Sequence, residues 1–401
     1  MNILIAVPWH TPGSVGGVGI AVRKISEVLG QKDHKITYLV HGENQSVEFV
    51  EDDHGRPIYS MYLRFVRSKK WSVKALIAFL FYLPPTLLRL RRFLRQNHID
   101  VTVIFYPGAH HLYFRLLKAL SSIRYAVAVQ GSDIRTEAHE HWLVKRAVTA
   151  LIRNADALVA NSNNMLEAAR NLAGVVPKRS EVIYVGIDPK WSQSTVTTSH
   201  ALPPKYILTL ACPTPVKGPD IIIEAFRQMC DRYPDVSLVM VGSGPQEREV
   251  RQLIDDLGLS GRILRLGDVP HEALPAIYHQ ALFGVIPSRS EAFGLVSLEF
   301  QLMGKAIVAT NVGGLPESIT DGFNGFLVAP ECPSEMARKM SELLDKPELC
   351  RTMGENGRGR VLRDFSLKTT GEKFDRLLSD VVSDRWGKLA RQSDQLSGSS
   401  V

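Results

Sequence analysis

Two runs of strand-length segments, each apolar from end to end, constrain this 401-residue chain more than any other feature. In the first run "NILIAVP", "KITYLVHG", "DVTVIFYPG", "YAVAVQGSD", "DALVANS" and "EVIYVGIDP" alternate with helix-length stretches such as "GVGIAVRKISEVLGQ" and "HWLVKRAVTALIRNA". A strand without a polar face must be covered on both sides, so it belongs in a parallel sheet with helices above and below. "KWSQSTVTTSHALPPK", Lys190 to Lys205, is rich in Ser, Thr and Pro and lacks periodicity; it reads as a linker. The pattern then restarts with "YILTLAC", "VSLVMVGSG", "RILRLGDV", "LFGVIPS", "AIVAT" and "GFLVAP". The expectation is an α/β protein of two doubly wound, Rossmann-like domains: residues 1–190, a linker at 191–204, and residues 205–365. Helices are expected near Pro333 to Leu349 and Ser366 to Trp386. The second of these, about 366–386, would pack back on the first domain, and the polar end, 390–401, reads as disordered. Such sheets bind ligands at the carboxyl ends of their strands, and two of them facing each other form a central cleft.

Composition excludes several classes. An apolar content of 45% with 22% charged residues is that of a soluble globular protein. The cysteines, Cys212, Cys230, Cys332 and Cys350, include no C-x-x-C pair and have no histidine cluster nearby. No metal site is expected, and a reducing compartment fits. "MNILIAVPWH" has no cationic leader, so a signal peptide is not expected and the location reads as cytoplasmic. The net charge of +7 is a local feature. From His54 to Ile99 there is no Asp or Glu, against ten Lys and Arg. The centre of that segment is aromatic and apolar, but Lys74 and Pro84-Pro85 leave too short a run to span a bilayer. It reads as a core helix with a basic face or, preferentially, as an interfacial element. In the second reading Lys69, Lys70, Trp71, Lys74, Arg91 and Arg92 would meet anionic lipid on the inner face of the cell membrane. No nucleic-acid motif accompanies the charge.

Four strand-end motifs carry the chemistry. In "PGSVGGVGIAV" Gly16 and Gly17 separate a strand from a helix, where backbone can approach an anion. A dinucleotide fingerprint would need a third glycine where Val22 stands and an acid at the end of "KITYLVHG", so a nicotinamide oxidoreductase is disfavoured. In "TPVKG" Lys217 would project from a strand-to-helix turn and neutralise a departing diphosphate. In "PSRSEAFGLVSLE" a helix beginning near Gly294 would turn the free amides of Gly294, Leu295 and Val296 toward an anion. Glu291 precedes that helix and Glu299 lies more than a turn inside it; two carboxylates suit a ligand with two polyol ends. A Glu291 that only favours the helix dipole, and a solvated Glu299, remain alternatives at this point. In "NVGGLPESITDGFNGFLV" Gly313 and Gly314 form another strand-end turn.

Read together, these residues resemble the retaining nucleotide-sugar glycosyltransferases of family four, the group-one enzymes of GT-B fold. The likeness rests on "ADALVANS", "VGID", "VKGPDIIIEAF", "VMVGSGP" and, most specifically, the run from Pro287 to Val328. It implies transfer of a sugar from a UDP- or GDP-sugar to an acceptor held by the amino-terminal half, with retention and without a metal or other cofactor. On that likeness Lys217 contacts the diphosphate and Glu291 the transferred sugar. Backbone at Phe293, Gly294 and Leu295 meets sugar and phosphates, and Glu299 holds the ribose. The base packs near Gly242, Gly244 and Gly267 to Val269, and Gly16 and Gly17 let the first half close on the diphosphate. The family commonly has Arg where this chain has Cys212, and His where it has Gln130, which can still donate a hydrogen bond. Arg289 or another cation of the cleft is expected to take the role of the missing arginine, and Glu291, Lys217 and Gln130 form the expected catalytic set. The basic segment adds a lipid-linked or saccharide acceptor, in cell-envelope polysaccharide, lipopolysaccharide or glycolipid synthesis. A weakly active sugar-nucleotide binder and a GT-B epimerase are the alternatives.

Overall fold

The computed structural model describes residues 1–8, 17–42, 48–52, 54–65, 73–198 and 200–397. Gly16, Lys69, Lys70 and Trp71 lie outside the described residues. The chain divides into two compact units, Met1–Val185 with Leu367–Val401, and Gly186–Ser366.

The first unit is built on eight strands: β1 (Asn2–Val7), β2 (Lys35–His41), β3 (Glu48–Glu51), β4 (Pro57–Met61), β5 (Val101–Phe105), β6 (Tyr125–Val129), β7 (Ala157–Ala160) and β8 (Ser180–Val182). Their order is β3-β4-β2-β1-β5-β6-β7-β8. All neighbours are parallel except β3 and β4, an antiparallel pair at the edge. The central strands are buried along their whole length, which is why they read as continuous apolar runs. The helix Leu367–Ser397 returns to this unit and packs on the helix Gly17–Gly30. Phe374, Leu377, Leu378 and Val381 join the core of β1 and β5. Thr370 donates to the Tyr184 carbonyl (2.9 Å), and Asp375 takes His34 (2.9 Å) and Lys32 (3.2 Å). The helix continues to Ser397, through most of the segment read from sequence as a disordered tail.

The second unit has six parallel strands: β9 (Tyr206–Leu210), β10 (Ser237–Val241), β11 (Ile263–Gly267), β12 (Gly284–Ile286), β13 (Ile307–Thr310) and β14 (Phe326–Val328). Their order, β11-β10-β9-β12-β13-β14, reverses direction between β9 and β12. At such a reversal the loops leaving the two strands diverge and open a crevice at their carboxyl ends. Lys217 follows β9 and Glu291 follows β12. A helix unmarked in the sequence, Pro347–Asp364, follows the helix Pro333–Asp345. Its glycines lower helix propensity, yet Gly354 and Gly357 lie against Gly304 and Gln301, so packing decides.

The basic segment forms the helix Val73–Gln96, which runs through Pro84 and Pro85. Each proline removes one ladder hydrogen bond; just beyond them the Thr86 hydroxyl donates to the Tyr82 carbonyl (2.7 Å). Among the described residues no helix is long and apolar enough to cross a membrane.

Candidate functional site

The edge beyond β9 and β12 is assembled from three loops in backbone contact. Arg289 N–H donates to the Val216 carbonyl (2.8 Å), joining the loop after β12 to the loop after β9. Gly314 N–H donates to the Glu291 carbonyl (3.1 Å), bringing in the loop after β13. Gly313 has φ 57°, and a Cβ on it would overlap the Glu291 carbonyl oxygen. Only glycine tolerates both the left-handed backbone and that approach. The pair Gly313-Gly314 therefore sets the height of the Glu291 loop.

Lys217 Nζ lies 2.5 Å from Glu291 Oε2, and Ser288 Oγ donates to the same oxygen at 3.4 Å. Glu291 is mostly buried and Lys217 about two-thirds buried. Glu291 is therefore enclosed and paired, not turned to solvent. The helix Leu295–Leu302 starts beside the pair, with Gly294 as its N-cap at φ 89°. Its first-turn amides have no carbonyl ahead of them within the helix, so a lysine and a partial positive dipole meet at one edge. Phe293 turns its ring inward onto Phe365 (centroids 5.8 Å), leaving its backbone at the edge.

Glu299 is also enclosed. Tyr278 Oη donates to its Oε2 (2.7 Å), and His271 Nε2 lies 3.4 Å from Oε1. Burial and the neighbouring Glu299 push the Tyr278 hydroxyl far above its ordinary range, so the phenol keeps its proton and remains a donor. Trp191 stacks on His271 (5.0 Å) and donates from its indole nitrogen to the His271 carbonyl (3.0 Å). Glu299 is thus held by a phenol and an imidazole, and the solvated-face alternative fails. Nothing in the sequence pointed to Tyr278, His271 or Trp191.

Gly242 and Gly244 pack against the loop at Ala211 to Pro213, and Gly242 N–H donates to the Gly267 carbonyl (2.7 Å). Val269, half-buried, joins the adjacent core cluster. Gly17 opens the helix Gly17–Gly30 of the first unit. Gln130, also in that unit, ends β6 and is almost fully buried. Its N–H donates to both Asp133 oxygens (3.2 and 3.0 Å), and Asn161 donates to its carbonyl (2.8 Å). Burial raises the Asp133 carboxyl to about 7 despite backbone donors from Gly131, Gln130 and Ile134.

Arg289 is expected at the diphosphate for the charge that it adds inside "PSRSE". Its guanidinium instead forks onto Asp220 (2.8 and 2.6 Å), pairs with Glu331 (2.5 and 3.0 Å) and donates to the Pro215 carbonyl (2.8 Å). Those hydrogen bonds, to Asp220 first and Glu331 second, hold it above its ordinary range. Every nitrogen is engaged, so in this structure Arg289 ties the loops together.

The profile described as "Glycosyl transferases group 1" matches residues 196–360, and "Glycosyltransferase Family 4" matches residues 15–191. The chain belongs to this family of glycosyltransferases. A D-inositol 3-phosphate glycosyltransferase of Corynebacterium glutamicum is 30% identical over 249 residues, 58% of this chain and 59% of that relative. The match therefore spans about three-fifths of the relative's length. An N-acetyl-alpha-D-glucosaminyl L-malate synthase of Bacillus anthracis is 24% identical over 390 residues, 94% of this chain and 97% of that one. Among solved structures, a sucrose-phosphate synthase from Thermosynechococcus elongatus superposes with a TM-score of 0.76 at 20% identity, covering 96% of this chain and 100% of the other. Anabaena HepE in complex with UDP gives 0.75 at 21% identity, covering 95% and 100%. The glycosyltransferase shares the GT-B fold of these neighbours.

Proposed function

We propose that the protein is a retaining glycosyltransferase that moves a sugar from a UDP- or GDP-sugar to an acceptor hydroxyl. The observation that supports this most is the Lys217–Glu291 pair set beside the first-turn amides of the helix Leu295–Leu302. On donor binding, Lys217 would exchange the carboxylate for phosphate oxygens, and Glu291 would turn to sugar hydroxyls. The bond between the anomeric carbon and the phosphate oxygen breaks as negative charge grows on the diphosphate, where Lys217 and the helix amides are placed to stabilise it. The acceptor oxygen attacks from the same face and gives its proton to the departing phosphate oxygen. Glu299 would hold the ribose diol, the strand ends at Gly242, Gly244 and Val269 the base, and Gln130 would face the reacting sugar. No metal or cofactor is required by this scheme.

For the acceptor, support comes from a cavity of about 380 Å³ in the first unit. Tyr62, Phe65 and Tyr106 line it with Glu137 and Glu140, and among its described lining residues none is Lys or Arg. Aromatic faces with carboxylates suit an uncharged sugar ring, as at the end of a saccharide or lipid-linked saccharide. The two named relatives carry anionic acceptors in their names, which makes acceptor charge a point of divergence. A membrane surface is supported by the helix Val73–Gln96. Its Ile77, Leu80, Phe81 and Leu88 recur at helical spacing and are all exposed, with Lys74 and Arg92 exposed on the same helix and Arg91 half-buried. The reading places the protein peripherally on the cytoplasmic face of the cell membrane, in cell-envelope polysaccharide, lipopolysaccharide or glycolipid synthesis.

Proton NMR of the product formed from an α-linked donor tests the reaction. An α-linked product is expected; a β-linked product refutes retention, and donor binding without any transfer refutes the enzyme.

A further inference from the structure

Arg265 stands inside an apolar strand, "ILRLG", where a charge is out of place. Its side chain is 10% exposed. Nη2 pairs with Glu247 Oε2 (2.5 Å) and lies 3.4 Å from the Gly242 carbonyl. Nε and Nη1 are buried and have no hydrogen-bond partner. Buried donors without partners are uncommon because each forfeits its hydration for nothing in return. Arg265 lines a small cavity of about 20 Å³ at the carboxyl edge of β9 and β10 together with Lys217, Pro213, Gly242 and Pro287. Two cations thus line one cavity, Lys217 paired with Glu291 and Arg265 with Glu247.

The loop over this cavity holds Cys212, where the family commonly has arginine. Ala211 and Pro213, on either side of it, line the cavity, and Gly244 presses against the Cys212 sulfur. With Arg289 committed to Asp220 and Glu331, the donor edge lacks its second positive charge. We propose that Arg265 supplies that charge: it reaches the nucleotide diphosphate from β11, the second strand away from the position where the arginine is missing. Nε and Nη1 would donate to phosphate oxygen while Glu247 keeps Nη2 in place. This rests on the donor reading above.

The test measures calorimetric Kd values for UDP, GDP and the corresponding nucleosides on the full chain. Arg265→Met should weaken the preferred nucleoside diphosphate by about tenfold or more and leave its nucleoside unchanged. Adding Cys212→Arg to that variant should recover most of the loss. Equal losses for diphosphate and nucleoside, or no loss at all, would each show that Arg265 only ties β11 to the helix that carries Glu247. Should the parent bind no nucleoside diphosphate, the donor reading falls along with this one; binding by the parent and Arg265→Met alike overturns only the role of Arg265.

Discussion

The two sheets end in edges of opposite electrical character. Beyond β9 and β12 the side chains are charged and already paired: Lys217 with Glu291, Arg289 with Asp220 and Glu331, Glu299 with Tyr278. At the ends of β2 and β5 neutral rings gather instead, His110 and His111 among them, beside a cavity that Glu137 and Glu140 also line. The rings of His41, His110 and His111 lie in tilted contact, with centroids 4.6 and 4.0 Å apart. Burial holds His110 well below its ordinary range and His111 at about 3. One edge keeps counter-ions that a charged ligand can displace. The other offers rings and a cavity, and would reject a group that brings net charge without bringing its partner. A transferase needs both, since its donor carries a diphosphate and its acceptor must arrive with a hydroxyl.

The largest expected effect removes the exchangeable charge. Lys217→Ala should lower kcat by about 10²- to 10³-fold, measured by steady-state transfer at saturating donor; a loss confined to KM would mean that Lys217 binds ground state and transition state equally. Next, Glu299→Gln keeps an acceptor for Tyr278 but loses the charge that grips a diol. It should weaken UDP by about tenfold and leave competition by pyrophosphate unchanged, and a change in both would place Glu299 at the phosphates instead. On the first unit, Phe81→Glu should lower co-sedimentation with phosphatidylserine vesicles by about tenfold without changing transfer to a soluble acceptor.

The smallest effect is in stability against pH. His111 accepts from the Gly108 N–H (3.0 Å) with Nδ1, so the folded ring stays neutral. The unfolded ring protonates near 6.5 while the folded one resists to about 3, so folding stability should fall as pH drops through that window. Asp133 acts with the opposite sign: its folded carboxyl holds a proton up to about 7, so its contribution should be lost as pH rises from about 4 to 7. Hydrogen exchange of β5 and β6 across that range should show the acid-side loss reduced in His111→Phe and the upper slope flattened in Asp133→Asn. Exchange of β9 and β12 should change less.

Much of this was legible in the sequence, and the failures have physical causes. The strands announced themselves because parallel strands buried on both faces carry no polar alternation. The short pair β3 and β4 went unread because it sits at an edge, where Glu48 and Glu51 break the apolar run. The helix Pro347–Asp364 was hidden by glycines that serve packing. Lys217 and Glu291 could be found from their place after strands, since the reversal of strand order puts both at one edge. The pairing of Arg289 was not legible because a count of charges does not reveal partners as distant in sequence as Asp220 and Glu331. Arg265 did leave a signal, a charge between leucines in an apolar strand, while the phenol and imidazole around Glu299 left none.

The most direct test is a crystal structure of the protein with UDP. The account predicts phosphate oxygens within hydrogen-bond distance of the Leu295 and Val296 amides and of Lys217 Nζ, with the Lys217–Glu291 contact opened and Glu299 on the ribose. UDP bound elsewhere, or bound with Lys217 still closed on Glu291, would contradict it.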